Sequence, residues 1–176
     1  MPSALRNMNQ PVHCQKGPPI IRHYREADSQ SYTVNQVVIL SSNKVAIACA
    51  SGADLDSGGA RILGVVKRAG RNTTNPGQDS ATRQNRDVPV EIVGDDSYLC
   101  LPIWYSASPS STNGQYSQYN EGFQCVLHNV GGIFVANVSN TSNPNLQLVA
   151  KFPDIDDDEL FGMALWKVIA GEREEN

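Results

Sequence analysis

The chain has 176 residues, of which 40% are hydrophobic and only 18% are charged, with a formal net charge of −4. A chain of this length buries a real core as one domain or two small ones. The acidic balance excludes a basic nucleic-acid binder, and no apolar run approaches the 18 or more residues of a membrane-spanning helix. Charge is replaced by neutral polar groups: Asn, Gln, Ser and Thr together number 47.

Residues 1–22 read as an N-terminal arm. The first twenty lack the apolar stretch of a secretory signal. Gly17-Pro18-Pro19 favours an extended, polyproline-like path, and Ile20, Ile21 and Tyr24 follow as an apolar anchor. Fully extended, such an arm spans about 70 Å at roughly 3.3 Å per residue.

From residue 23 the pattern is one of strands. Val37–Leu40 and Lys44–Cys49 flank the short polar turn Ser41-Ser42-Asn43 and predict a hairpin. Arg61–Arg68 is a strand with Gly64 inside it, the mark of a bulge or a close backbone approach. Val88–Val93 predicts another, which Pro89 assigns to a sheet edge or a bulge. Tyr98–Trp104 completes a first β unit over residues 23–105.

Residues 106–122, rich in Ser, Asn, Gln and Tyr, form a polar connector. A second β unit, 123–176, holds strands at 123–127, 133–138, 146–152 and 162–169, with a turn at Gly131-Gly132. The stretch 154–164 is a helix or a loop.

The two units echo each other. Gln36-Val-Val-Ile-Leu, a turn and Val45-Ala-Ile-Ala recur as Gln124-Cys-Val-Leu, a turn and Ile133-Phe-Val-Ala. Ile62-Leu-Gly-Val-Val-Lys has its echo in Leu160-Phe-Gly-Met-Ala-Leu-Trp-Lys. The expected fold is mainly β: one barrel closed by both units, or two small barrels.

Chemical motifs are incomplete. Cys14, Cys49, Cys100 and Cys125 form no C-x-x-C pair, and the last three sit in apolar runs as buried thiols. His13, His23 and His128 have no zinc-site spacing. Asp154–Glu159 resembles a calcium loop but lacks its glycine and its closing glutamate. Asp54–Gly59 is incomplete in the same way. The sequons at Asn72, Asn137 and Asn140 are chance matches in an Asn-rich chain. The basic excess over 67–86 is a solvated loop or a docking point for an acidic surface. No catalytic, cofactor-binding or metal-binding residue is assigned, and no cofactor is expected.

The order of strands Val37–Leu40, Lys44–Ala46, Ile62–Val66, Val88–Glu91 and then Leu160-Phe-Gly-Met-Ala resembles the capsid decoration, or cement, proteins of tailed bacteriophages. The resemblance covers residues 20–170 and consists of patterning without a diagnostic motif. The long connector and the short C-terminus depart from it. It implies a non-enzymatic virion protein, made in the host cytoplasm. On the capsid surface it would bind the major capsid protein, trimerise with itself and bridge neighbouring subunits. Candidate interface residues are Pro18, Pro19, Ile20, Ile21, Tyr24, Trp104, Tyr105 and Trp166. The alternatives are a receptor- or glycan-binding module using Trp104, Tyr105, Tyr116 and Tyr119, and a hydrolase using His23 or His128.

Overall fold

A computed structural model of the protein describes residues 13–15, 18–27, 30–41, 44–55, 61–68, 87–94, 97–105, 115–152 and 162–169. Eleven strands run in chain order: β1 (His13–Gln15), β2 (Ile21–Arg25), β3 (Val37–Ser41), β4 (Lys44–Ile47), β5 (Ile62–Val66) and β6 (Asp87–Ile92); then β7 (Ser97–Trp104), β8 (Gln124–Val130), β9 (Ile133–Asn137), β10 (Leu146–Lys151) and β11 (Met163–Val168). A single 3-10 turn, Tyr116–Gln118, is the only helical piece among the described residues. The mainly-β fold class is as the sequence predicts.

Strands β2 to β6 form one sheet in the order β2-β6-β5-β3-β4. Strands β7 to β11 form a second in the order β7-β11-β10-β8-β9, and β9 returns to pair with β7, closing a five-stranded barrel. The two orders are one pattern, with β2 to β6 corresponding in turn to β7 to β11. A ring with an odd number of strands cannot be antiparallel at every joint, so one joint must be parallel. In the barrel that joint is β7 with β9, where Ile103 faces Ala136 and Trp104 faces Asn137. The first sheet is open, but its edges touch at the equivalent place through one parallel bridge, Glu26 to Val45. Tyr32, almost fully buried, holds this seam: its hydroxyl donates to the Val45 carbonyl and accepts from the Ala27 N–H.

Three details of the sequence reading change. The unit boundary drawn at 105 gives way to one near 93–96, because β7 pairs with β11 and β9 and not within the first sheet. The hairpin echo holds, since β3–β4 and β8–β9 both turn through two residues. The second echo is out of step: by topology β5 answers to β10, and β11 to β6. Pro89 lies in an interior strand rather than at an edge. Its missing N–H falls toward the end of β5, where its carbonyl still accepts from the Lys67 N–H at 2.9 Å.

The arm does not stand free throughout. β1 pairs antiparallel with β7, setting His13 against Leu99 and Gln15 against Ser97. Residues 1–12, most of the loop 67–86, residues 106–114 of the connector and 153–161, with the calcium-like run, lie outside the described residues.

Burial explains the strand sequences. β5 is buried along its whole length, so it reads Ile-Leu-Gly-Val-Val without alternation. Its Leu63 and Val66 face the interior of the first sheet with Val38, Val88 and Val90. Its Ile62 and Val65 join Val37 in a larger core shared with the barrel, around Leu101, Phe134 and Trp166. Gly64 meets both expectations placed on it. The β3–β5 register shifts beside it, and a Cβ there would lie 2.0 Å from the Glu91 carbonyl oxygen.

Candidate functional site

Where β10 diverges from β8, the loop that follows β4 takes its place. The N–H groups of Gly52 and Leu55 donate to the carbonyls of Asn129 and Leu127, both at 2.7 Å, and the Asn129 N–H donates to Ala53. Asn145, fully buried at the junction, receives the Leu127 N–H on its side-chain oxygen at 2.8 Å and donates its amide to the Leu55 carbonyl. A segment of the first unit is thereby woven into the barrel wall.

This weave carries Asp54 to the centre of a polar cluster. Its Oδ1 accepts from Nδ1 of His128 at 2.7 Å and from Nδ2 of Asn137 at 2.8 Å; its Oδ2 accepts from Nδ2 of Asn140 at 2.8 Å. Local turns aim the two amides. The oxygens of Asn137 and Asn140 each accept the backbone N–H two residues on, from Ser139 and Ser142, which leaves each NH2 group to point at Asp54. Trp104 stacks on the His128 ring, with centroids 4.4 Å apart and planes 14° from parallel.

Burial raises the Asp54 pKa, but hydrogen bonds from Asn137, Asn140 and His128 outweigh it and hold the carboxyl below its ordinary value. Because an ionised carboxylate only accepts, His128 carries a proton on Nδ1. The neighbouring thiols are pushed the other way. Burial, aided by the Asp54 charge, raises Cys49 to about 12 and raises Cys125 as well. Both are inert thiols at neutral pH. Cys100 is also buried and forms no disulfide.

An Asp–His pair can orient a general base, whose other ring nitrogen would take a proton from a hydroxyl, a thiol or water. The Ser139 hydroxyl donates to the Asn137 side-chain oxygen, and the Ser51 hydroxyl accepts from the Gly131 N–H. The cluster fastens the loop of one unit to the barrel of the other. No group of three or more His, Cys, Asp or Glu residues that could hold a metal occurs among the described residues.

Of the residues singled out in the sequence, Asp54, His128 and Trp104 meet in this cluster, and the other candidates lie apart from it. Pro18, Pro19, Ile20 and Ile21 are exposed on the approach to β2, and Tyr24 is half-buried against the first core. Trp104 and Tyr105 are half-buried on the barrel. Trp166 is 0% exposed and donates its indole N–H to the Leu101 carbonyl at 3.1 Å, so it is a core residue and not an interface anchor. His23 lies exposed on β2. Tyr119 is buried, edge-on to Phe123 at 4.9 Å, and anchors the end of the connector.

Comparison with protein-family models, curated proteins and solved structures finds no match. Among the described residues no helix is long and apolar enough to cross a membrane.

Proposed function

We propose that this chain is a structural decoration protein of a viral shell. It binds the major capsid protein on the outer surface, associates as a homotrimer and bridges neighbouring subunits without doing chemistry. The observation that carries this reading is the approach to β2. Ile20 and Ile21, 55% and 47% exposed, stand with Val34 as the exposed large hydrophobics among the described residues. Ile21 opens β2 and Ile20 precedes it, beside the Pro18-Pro19 segment; β2 pairs with β6 on one side, and no described strand pairs with its other edge at Ile21. Extended, apolar, half-paired backbone suits attachment to another protein's sheet. The fold adds rigidity, since the two units share one core and the Asp54 cluster fastens them. The strand patterning that resembles cement proteins points the same way.

Co-sedimentation of the purified chain with undecorated shells of the virus that encodes it tests the reading, alongside the native mass of the free chain. Saturable pelleting and a trimer mass are expected. A chain that stays in the supernatant at all concentrations would overturn the proposal.

A further inference from the structure

The Asp54 cluster reaches the surface. The Asp54 side chain is 30% exposed, and Asn140 and Trp104 beside it are half-buried. Ser139, Thr141 and Ser142, on the loop that carries Asn140, are exposed. A carboxylate oxygen accepts up to two hydrogens, and an amide nitrogen donates two. Oδ1 of Asp54 already holds two bonds, from His128 and Asn137, whereas Oδ2 holds one, from Asn140. The Asn140 amide uses one hydrogen on that bond, and its oxygen takes the Ser142 N–H. Among the described residues, one acceptor position and one N–H thus remain side by side, on atoms 2.8 Å apart. Trp104, stacked on the His128 ring that Asp54 holds, brings an aromatic surface to the same rim.

We propose that this rim binds a neutral sugar through two adjacent hydroxyl groups, one donating to Oδ2 of Asp54 and one accepting from Nδ2 of Asn140, with the sugar ring against Trp104. The site goes beyond the shell role and does not depend on it. The alternation of acceptor and donor selects the ligand. An ammonium or guanidinium group only donates, so it would meet the Asn140 N–H donor to donor. A carboxylate or phosphate would meet the Asp54 charge. A hydroxyl both donates and accepts, and neighbouring hydroxyls of a pyranose present that pair at hydrogen-bond spacing. The apolar C–H face of the same ring suits an indole, and few convergent polar groups beside an aromatic surface are the usual make-up of a small-molecule site.

The test titrates the full, isotopically labelled chain with methyl mannoside, methyl galactoside and methyl glucoside, and with cyclohexanol and tetramethylammonium chloride as controls. Side-chain amide and indole N–H signals in NMR are the readouts. At least one glycoside is expected to shift the Asn140 amide and the Trp104 indole saturably, with a dissociation constant on the order of 1 mM. The indole of Trp166, bonded to Leu101 in the core, should stay in place. Cyclohexanol, with a single hydroxyl, should bind at least about tenfold more weakly, as should the glycoside to Asn140→Ala and to Trp104→Ala. Should either variant fail to fold, the shifts in the unaltered chain decide the question. Absence of a saturable shift with all three glycosides would overturn the proposal and leave the pair merely hydrated. So would equal binding of cyclohexanol, tighter binding of tetramethylammonium, or glycoside binding that a folded Asn140→Ala leaves unchanged. Shell co-sedimentation tests the decoration role separately, and its failure would leave this site standing.

Discussion

Asp54 and His128 lie 74 positions apart in the chain, yet carboxylate and imidazole meet at 2.7 Å. Their contact joins a loop of the first unit to the wall of the second. Replacing Asp54 by alanine strands three donors at once, on His128, Asn137 and Asn140. An expected loss of about 1–3 kcal/mol follows from leaving such groups unsatisfied. Denaturant unfolding of Asp54→Ala checks it, and an unchanged midpoint would show that the cluster does not fasten the units.

Acid should erase this contribution. The folded-state pKa of Asp54 is depressed, so its stabilisation is present above the unfolded carboxyl value of about 3.9 and is lost as pH falls through the lower folded value. The side chain is 30% exposed, and solvent screening keeps the effect small. Unfolding midpoints of the natural chain and of Asp54→Asn should differ at pH 7 and converge toward pH 3. A gap that stays constant across that range would contradict the assignment.

Gly64→Ala should be costly. Its new Cβ meets main chain at 2.0 Å, not a side chain that can swing away, and overpacking of this kind costs typically about 1–3 kcal/mol. Gly52 provides the contrast. Its φ of +80° strains alanine, but nothing lies within 4 Å of the added methyl, so about 1 kcal/mol is expected there. Thermal melts of the two variants rank them, and a milder loss at Gly64 would speak against the close β5–β6 approach.

Thiol labelling should separate folded from unfolded chain. With Cys49, Cys100 and Cys125 buried, and Cys49 raised to about 12, a thiol reagent at pH 8 should modify at most one of the four cysteines in the native protein and all four in denaturant. Rapid native labelling of Cys49 would reveal opening of the loop after β4.

Much of the β framework was legible because its signals are local. The pairs Ser42-Asn43 and Gly131-Gly132 each separate two β-branched runs, and both hairpins form there. The boundary between units was not legible: nothing near Tyr98–Trp104 tells whether that strand pairs backward with β6 or forward with β11, which arrives some sixty residues later. The Asp54 cluster was visible only in fragments. Asp54 read as half of a cation loop, His128 as a histidine without a partner, and Asn137 and Asn140 as chance sequons. The N-x-S spacing did carry a usable signal, because it sets the turn that aims each amide. What it is aimed at comes from 83 and 86 positions away.

The repeated strand order has a consequence for how such a chain can be rearranged. Each unit's first and last strands are neighbours: Ile21 faces Glu91 in one, and Leu99 faces Trp166 in the other. The polypeptide therefore enters and leaves each unit through one doorway. A segment with that property can be excised, copied in tandem or joined end to end by a short linker without rerouting any other strand. A circular permutant of the barrel, opened at the Gly131-Gly132 turn and closed between residues 97 and 168, would keep every pairing from β7 to β11.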